Sequence, residues 1–169
     1  MRRLAPAAAF LIALTASVQA EENPACAEFK WPLTTEKSWF ETSKLEGLAS
    51  GATVATLAEG AFTVMLKPAA EVSFKLEPEG KPKPDRPLGA VISFGAVTAP
   101  GRYQVTLSDE AWIDVVQGDA YRPSLEFSGV HGCPGLRKSV RFEFTAAALA
   151  LQLSSASTPE LRVAIRRVQ

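Results

Sequence analysis

Apolar and polar residues alternate along most of the chain from about residue 60 onward. Segments with this period of two cover residues 62–66, 72–76, 103–107, 125–127, 140–144, 149–153 and 161–165. Strict alternation is typical of strands with one buried and one solvated face, and it favours antiparallel pairing because parallel strands carry continuous apolar runs. Clusters of proline, glycine and aspartate separate the segments. The pattern predicts an all-β antiparallel sandwich, jelly-roll-like, of about eight or nine strands.

Two stretches depart from this pattern. Residues 34–41 carry Thr, Glu, Lys, Ser and aromatic residues and predict a short helical turn on an N-terminal arm. Residues 78–87 hold four prolines with lysines, an arginine and acidic residues, so we expect a solvated, mobile loop that no strand crosses. Its mixed charges argue against a strong field for polyanions.

The first twenty residues have the form of an export signal. Arg2 and Arg3 precede a short run rich in Ala, Leu and Ile, and Val18 and Ala20 place small residues where signal peptidase requires them. We therefore predict cleavage after Ala20, a single β-sandwich domain over residues 21–169, and a periplasmic or secreted location.

Composition narrows the classes of function. The 169 residues include 18 Lys and Arg against 18 Asp and Glu, and this balance argues against a dedicated nucleic-acid binder. No apolar run after the signal is long enough to predict a transmembrane segment. With one histidine, the chain does not suggest a metal site, and nothing in the sequence suggests a cofactor.

The chain has two cysteines, Cys26 and Cys133. Because export leads to an oxidising compartment, we predict that they form a disulfide that ties the arm to a loop of the C-terminal half. In the chain-entropy account, closing so long a loop contributes on the order of 4–5 kcal/mol. His131 lies two residues before Cys133, but two candidate ligands are too few for structural zinc.

Catalytic motifs are missing from the sequence. There is no G-x-S-x-G, S-x-x-K or H-E-x-x-H pattern. A Ser/His/Asp triad would have to use His131, with Asp114 and Ser128 as conceivable partners, and their spacing gives no support for that arrangement. We therefore predict no catalytic residues.

The strand around Trp112 offers the best candidate for a binding site. Ile113 and Val115 share one face, while Trp112 and Asp114 lie on the other, so both faces are partly apolar. A carboxylate in that setting needs a partner. If neighbouring strands pair up and down, Arg137, Lys138 or Arg141 reaches Asp114, and Arg141 is the cation that we place in the candidate site. That contact is either a buried ion pair fixing strand register or part of a site for a polar ligand. Loops around Tyr121 and His131 are the other location we consider.

Several stretches resemble a group of small exported proteobacterial proteins of unknown function. The similarity rests on residues 26–31, 101–108, 112–115, 137–140 and 151–154, together with Cys133. The Gly-x-Tyr-x-Val opening at residues 101–105 is also similar to β-sandwich domains appended to secreted peptidases. Both resemblances imply a fold, and neither implies an activity.

Three hypotheses about function follow. The first is a non-enzymatic binding or accessory module that recognises a polar small molecule, a glycan or an envelope component. The second is a structural or assembly protein of the cell envelope that acts through an exposed sheet edge. The third is a hydrolase. An exposed aromatic in a concave patch favours the first, an unprotected edge strand the second, and His131 bonded to a serine and a carboxylate the third.

Overall fold

The computed structural model describes residues 23–169 and shows two β-sheets packed face to face. The predicted signal peptide lies outside the described residues. One short helix, α1 (Thr34–Phe40), agrees with the predicted helical turn. Twelve strands follow it in chain order: β1 (Glu46–Ala49), β2 (Thr53–Val54), β3 (Gly60–Met65), β4 (Lys67–Pro68), β5 (Leu88–Ala96), β6 (Gly101–Leu107), β7 (Trp112–Gln117), β8 (Ala120–Tyr121), β9 (Ser124–Gly129), β10 (Lys138–Phe144), β11 (Ala148–Ala156) and β12 (Glu160–Arg167).

The strands form two six-stranded sheets. Sheet A has the order β1-β3-β12-β6-β10-β9, and sheet B has the order β2-β5-β11-β7-β8, with β4 also paired to β5. The pairs β1/β3 and β2/β5 are parallel, and the others are antiparallel. The all-β sandwich is confirmed, although it has twelve strands where the pattern predicted eight or nine.

The main core lies between the sheets. Alternate side chains of the central strands point into it and are fully buried, among them Val64, Ile92, Leu107, Phe142, Leu153 and Leu161. Apart from Ile92, whose strand has no alternating pattern, these are positions that the period of two assigns to the buried face. The transfer of this apolar surface out of water is the main term that favours the sandwich.

The N-terminal arm covers the outer face of sheet A. Phe29, Trp31 and Phe40 bury their rings there against Leu136 and Ala164. The disulfide between Cys26 and Cys133 spans 107 positions and fixes the arm to the loop that precedes β10, which confirms the predicted pairing. Beneath the arm, the carboxylate of Glu36 is completely buried. Its Oε1 accepts hydrogen bonds from Gln104 Nε2 and Arg166 Nε, each at 2.6 Å.

The outer face of sheet B is covered by residues 72–81. Val72, Phe74 and Leu76 alternate toward Val91 and Val116, yet the backbone of residues 72–76 forms no strand. The prediction of a strand over residues 72–76 is therefore wrong. In place of a partner strand, the side chain of Gln152 bonds to backbone groups: its Oε1 accepts from the amides of Lys75 and Leu76, and its Nε2 donates to the carbonyl of Leu76.

Candidate functional site

Trp112 begins β7 and stands on the outer face of sheet B with 42% of its surface exposed. The proline-rich loop approaches it so closely that a Cβ atom built on Gly80 would lie 2.4 Å from Trp112 Cγ. A side chain at position 80 therefore requires the loop or the indole to move. The contact makes glycine necessary at this point and fixes the ring beside the loop.

Asp114, two residues along the same face, is 3% exposed and joins the ring to the loop. Its Oδ1 accepts a hydrogen bond from the indole Nε1–H of Trp112 at 2.7 Å, and its Oδ2 accepts one from the backbone amide of Glu79 at 3.1 Å. Burial raises the pKa of Asp114 above its ordinary value. The two hydrogen bonds act in the opposite direction, and the charge of Glu79 adds to the rise.

Two further side chains of sheet B bind the same loop. The hydroxyl of Tyr121 donates to the carbonyl of Glu77, and the hydroxyl of Ser155 donates to the carbonyl of Lys81 at 3.1 Å. Together with Asp114, they hold the backbone at residues 77, 79 and 81, and we call these three side chains the loop anchors. The loop that the sequence predicts to be free is therefore hydrogen-bonded to the sheet along its first half.

A cleft of about 350 Å³ opens between this loop and the start of β7. Its charged and polar walls are formed by Glu79, Lys81, Lys83, Arg86, Glu110, Lys138 and Ser155, with Trp112 at its edge. We call it the basic cleft, since four of the side chains that line it are cations. It is concave and adjoins an exposed aromatic ring, a combination typical of sites for polar ligands.

Glu110 is shared by several cations of this region. Its carboxylate contacts the guanidinium of Arg137, lies 3.4 Å from Arg86 Nη1 and lies 3.9 Å from Lys138 Nζ. Lys138 also donates to the carbonyl of Ala111 at 2.8 Å. Burial lowers the pKa of Lys138, and the positive charges of Arg137, Lys83 and Arg86 lower it further, while Glu110 raises it. The single carboxylate of Glu110 thus lies within 4 Å of three cations, Arg86, Arg137 and Lys138.

An apolar groove of about 200 Å³ lies on another side of Trp112, between β7 of sheet B and strands β9 and β10 of sheet A. Ile113, Val140 and Phe127 line it, and Phe127 is 61% exposed. Lys138 Nζ lies 5.6 Å from the centre of the Trp112 ring, so this lysine borders both the groove and the basic cleft.

The structure does not bring Arg141 to Asp114. Arg141 belongs to β10 in sheet A, and its guanidinium lies 4.0 Å from the centre of the Trp31 ring, under the arm. It bonds to Gln104 at 3.2 Å and to Glu126 at 3.1 Å. The expected contact fails because β7 and β10 join different sheets. Among residues 23–169, no ion pair includes Asp114.

His131 lies in the loop before β10, where it lines a depression together with Arg86 and Glu110. Its Nε2 is 3.0 Å from Arg137 Nη2, so its hydrogen-bond partner is a guanidinium and not the serine and carboxylate that the hydrolase hypothesis requires. In the part of the chain that the structure describes, no group of three or more His, Cys, Asp or Glu side chains is placed to hold a metal ion.

Of the five candidate residues, the structure brings Trp112, Asp114 and Tyr121 together at the proline-rich loop. Arg141 lies under the arm in sheet A, whereas His131 contacts Arg137, the partner of Glu110, without lining the basic cleft. The sequence reasoning missed Gly80, and it missed that Lys81, Lys83, Arg86 and Lys138 line one cleft. The three basic residues of the proline-rich loop were a signal for this cleft, but Glu79 and Asp85 in the same loop balance two of their charges.

Comparisons with known proteins add no relative. Neither a scan against models of protein families nor a search of the curated proteins finds a match to this chain. Within residues 23–169, no helix is long and apolar enough to cross a membrane.

Proposed function

We propose that the protein is an exported, non-enzymatic binding module that holds a polar ligand, such as a glycan, against Trp112 in the basic cleft. The observation that carries this proposal is the fixed position of an exposed indole beside a concave polar surface. The N–H of the ring is bonded to a buried carboxylate, and Gly80 packs against the ring. A side chain held in place before binding loses little conformational entropy when a ligand arrives.

Export is part of the same proposal. It is supported by the signal-like residues 1–20, by the disulfide between Cys26 and Cys133, and by the resemblance to small exported proteobacterial proteins. Mass spectrometry of the protein recovered from its native host tests it, since we expect a mature N-terminus at Glu21. A chain that retains Met1 would contradict export.

Binding is tested by titrating the protein with a panel of neutral and charged oligosaccharides while tryptophan fluorescence is recorded. We expect a saturable change for at least one member of the panel, and we expect Trp112→Phe to abolish it. The matched control is Trp39→Phe, because Trp39 lies on α1 within the arm and does not line the cleft. A response that is absent, or that survives in Trp112→Phe, would exclude this site.

A second measurement separates binding from catalysis. Ligand recovered after prolonged incubation with the protein is compared by mass spectrometry with ligand incubated alone. We expect identical masses and amounts. Conversion of the ligand, reduced by substitution of a cleft residue, would establish an enzyme in place of a binding module.

One observation favours the second hypothesis, an assembly protein of the envelope. Strand β9 is an edge of sheet A, and within residues 23–169 it pairs on one side only, with β10. It exposes 43% of Leu125 and 61% of Phe127. An extended segment of another envelope protein would add to this edge as an antiparallel strand, since free backbone groups and apolar side chains meet there.

Site-specific photocrosslinking in the native host tests this alternative. A crosslinker at Leu125 is expected to capture one discrete partner, whereas a crosslinker at the exposed Met65 of β3 serves as the control. Loss of the adduct on Phe127→Glu would support strand addition at β9. Equal adducts from both positions, or none from Leu125, would exclude it.

A further inference from the structure

The basic cleft contains more positive charge than its own carboxylates balance. Lys81, Lys83, Arg86 and Lys138 line it, against Glu79 and Glu110. Lys81 and Lys83 enter no ion pair within the described part of the chain. Two lysines at this wall are therefore available to a negative group of a ligand.

The carboxylate nearest these cations is already engaged. Glu110 contacts the guanidinium of Arg137 and lies within 4 Å of Arg86 and Lys138. Its charge is shared among three cations, so it neutralises at most one of them. Arg86 has a second partner in Asp85, whose Oδ2 lies 3.7 Å from Arg86 Nε, whereas Lys81 and Lys83 have none within the described residues. Burial is the main cause of the lowered pKa of Lys138. Repulsion from Arg137, Lys83 and Arg86 lowers that pKa further, against the opposing effect of Glu110. A bound anion would reduce that repulsion.

The backbone that presents the lysines is fixed by the loop anchors. Ser155 bonds to the carbonyl of Lys81 itself, and Asp114 bonds to the amide of Glu79 two residues earlier. Ser155 has a φ of 52°, a left-handed conformation that non-glycine residues seldom adopt. The sheet therefore holds a strained residue at the point where it fastens the lysine-bearing loop to the cleft.

The exposed indole stands at the edge of the same cleft. A ligand that fills the cleft therefore meets cations on one wall and an aromatic surface on another. A sugar ring presents apolar C–H groups to an aromatic side chain, while its hydroxyls and any negative substituent reach polar and charged groups.

We propose that the basic cleft binds an acidic saccharide, with its negative substituent between Lys81, Lys83 and Lys138 and its sugar ring against Trp112. This inference rests on the proposed binding function and specifies the class of ligand. The negative group is a carboxylate of a hexuronate or a phosphate of a hexose phosphate, and the experiment distinguishes these two sources.

The test is calorimetric titration of the disulfide-bonded protein with three probes: tri-galacturonic acid, its fully methyl-esterified form and glucose 1-phosphate. The ester keeps the rings and removes the charge. We expect at least one charged probe to bind. If the uronic acid is the ligand, we expect the ester to bind at least about tenfold more weakly than the free acid. In either case a higher NaCl concentration should weaken binding.

Two double variants locate the charge. Lys81→Gln with Lys83→Gln is expected to weaken binding of the charged probe at least about tenfold, since both side chains are exposed and their loss leaves the fold intact. Lys44→Gln with Lys75→Gln removes the same charge from exposed positions outside the cleft and is expected to leave binding unchanged.

The outcomes separate this inference from the proposed function. Equal binding of acid and ester through Trp112 would overturn the acidic ligand and leave the binding module standing. Equal weakening by both double variants would also overturn it, because the effect would come from net charge alone. If neither charged probe binds at millimolar concentration, the acidic-ligand inference is overturned as well. If in addition no oligosaccharide of the panel binds, the proposed binding function is excluded too.

Discussion

Replacing Asp114 tests the anchor on which the candidate site depends. Asp114→Ala removes the acceptor of two hydrogen bonds, one from the indole of Trp112 and one from the amide of Glu79. A hydrogen bond to a charged group contributes about 1.5 kcal/mol at the lower end of its range, so the two together contribute about 3 kcal/mol. The raised pKa of Asp114 shows that burying the charge offsets part of this contribution.

We therefore expect Asp114→Ala to lower the free energy of unfolding by about 2 kcal/mol. For a domain of this size, that loss corresponds to a fall in Tm of roughly 4–8 °C. Asp114→Asn keeps one acceptor and removes the buried charge, so we expect about half the effect.

Thermal and urea unfolding, followed by circular dichroism under non-reducing conditions, measure the loss. Hydrogen exchange supplies the local readout: the amide of Glu79 is expected to be protected in the native protein and to exchange freely in Asp114→Ala. Asp119→Asn is the control, since Asp119 is exposed in the turn between β7 and β8, and a surface change of this kind stays within about 0.5 kcal/mol. A Tm for Asp114→Ala within about 1 °C of the wild-type value, which corresponds to a loss of at most about 0.5 kcal/mol, would refute the anchor.

Three other predictions follow from the same contacts. Gly80→Ala places a Cβ against the Trp112 ring, so we expect it to lower the free energy of unfolding in urea by about 1–3 kcal/mol and to weaken saccharide binding. In the control Gly47→Ala the new Cβ meets nothing within 4 Å, and we expect stability and binding to stay unchanged. Reducing the disulfide opens a loop of 107 positions and is expected to lower stability by about 4–5 kcal/mol in the chain-entropy account, a loss that a Cys26→Ala/Cys133→Ala variant should reproduce without reductant. Because the pKa of Asp114 is raised, the folded state binds the proton of this carboxyl more tightly than the unfolded chain does. The stability of the wild type relative to Asp114→Asn should therefore grow as the pH falls from 7 toward the ordinary pKa of 3.8. A relative stability that shrinks would mean that the pKa is lowered instead.

Alternation in the sequence predicted the class of fold because burial between two layers selects every second side chain. The pattern failed where a segment buries alternate side chains without pairing as a strand. Residues 72–76 alternate because their side chains contact the outer face of sheet B, but Gln152 satisfies their backbone in place of a strand. Strand β5 shows the converse: residues 89–92 are all buried, so a real and central strand carries no period of two.

The candidate site was only partly predictable. Trp112 and Asp114 stood out because a carboxylate on a half-apolar face needs a partner, and the structure supplies that partner from a loop more than thirty residues earlier in the chain. The choice of Arg141 failed because a local pattern does not determine which sheet a strand joins. The basic cleft brings residues 81–86 next to Lys138, and no pattern within either segment indicates that they meet.

The position of β12 in sheet A constrains how the molecule is assembled. This strand, Glu160–Arg167, is the last along the chain, yet it lies between β3 and β6, and its Arg166 bonds to Glu36 under the arm. A polypeptide synthesised from its N-terminus cannot complete sheet A, or bond Glu36 to Arg166, until residues 160–167 have emerged. Until then the edges of β3 and β6 that face β12 stay unpaired, and unpaired edges of this kind are prone to aggregation.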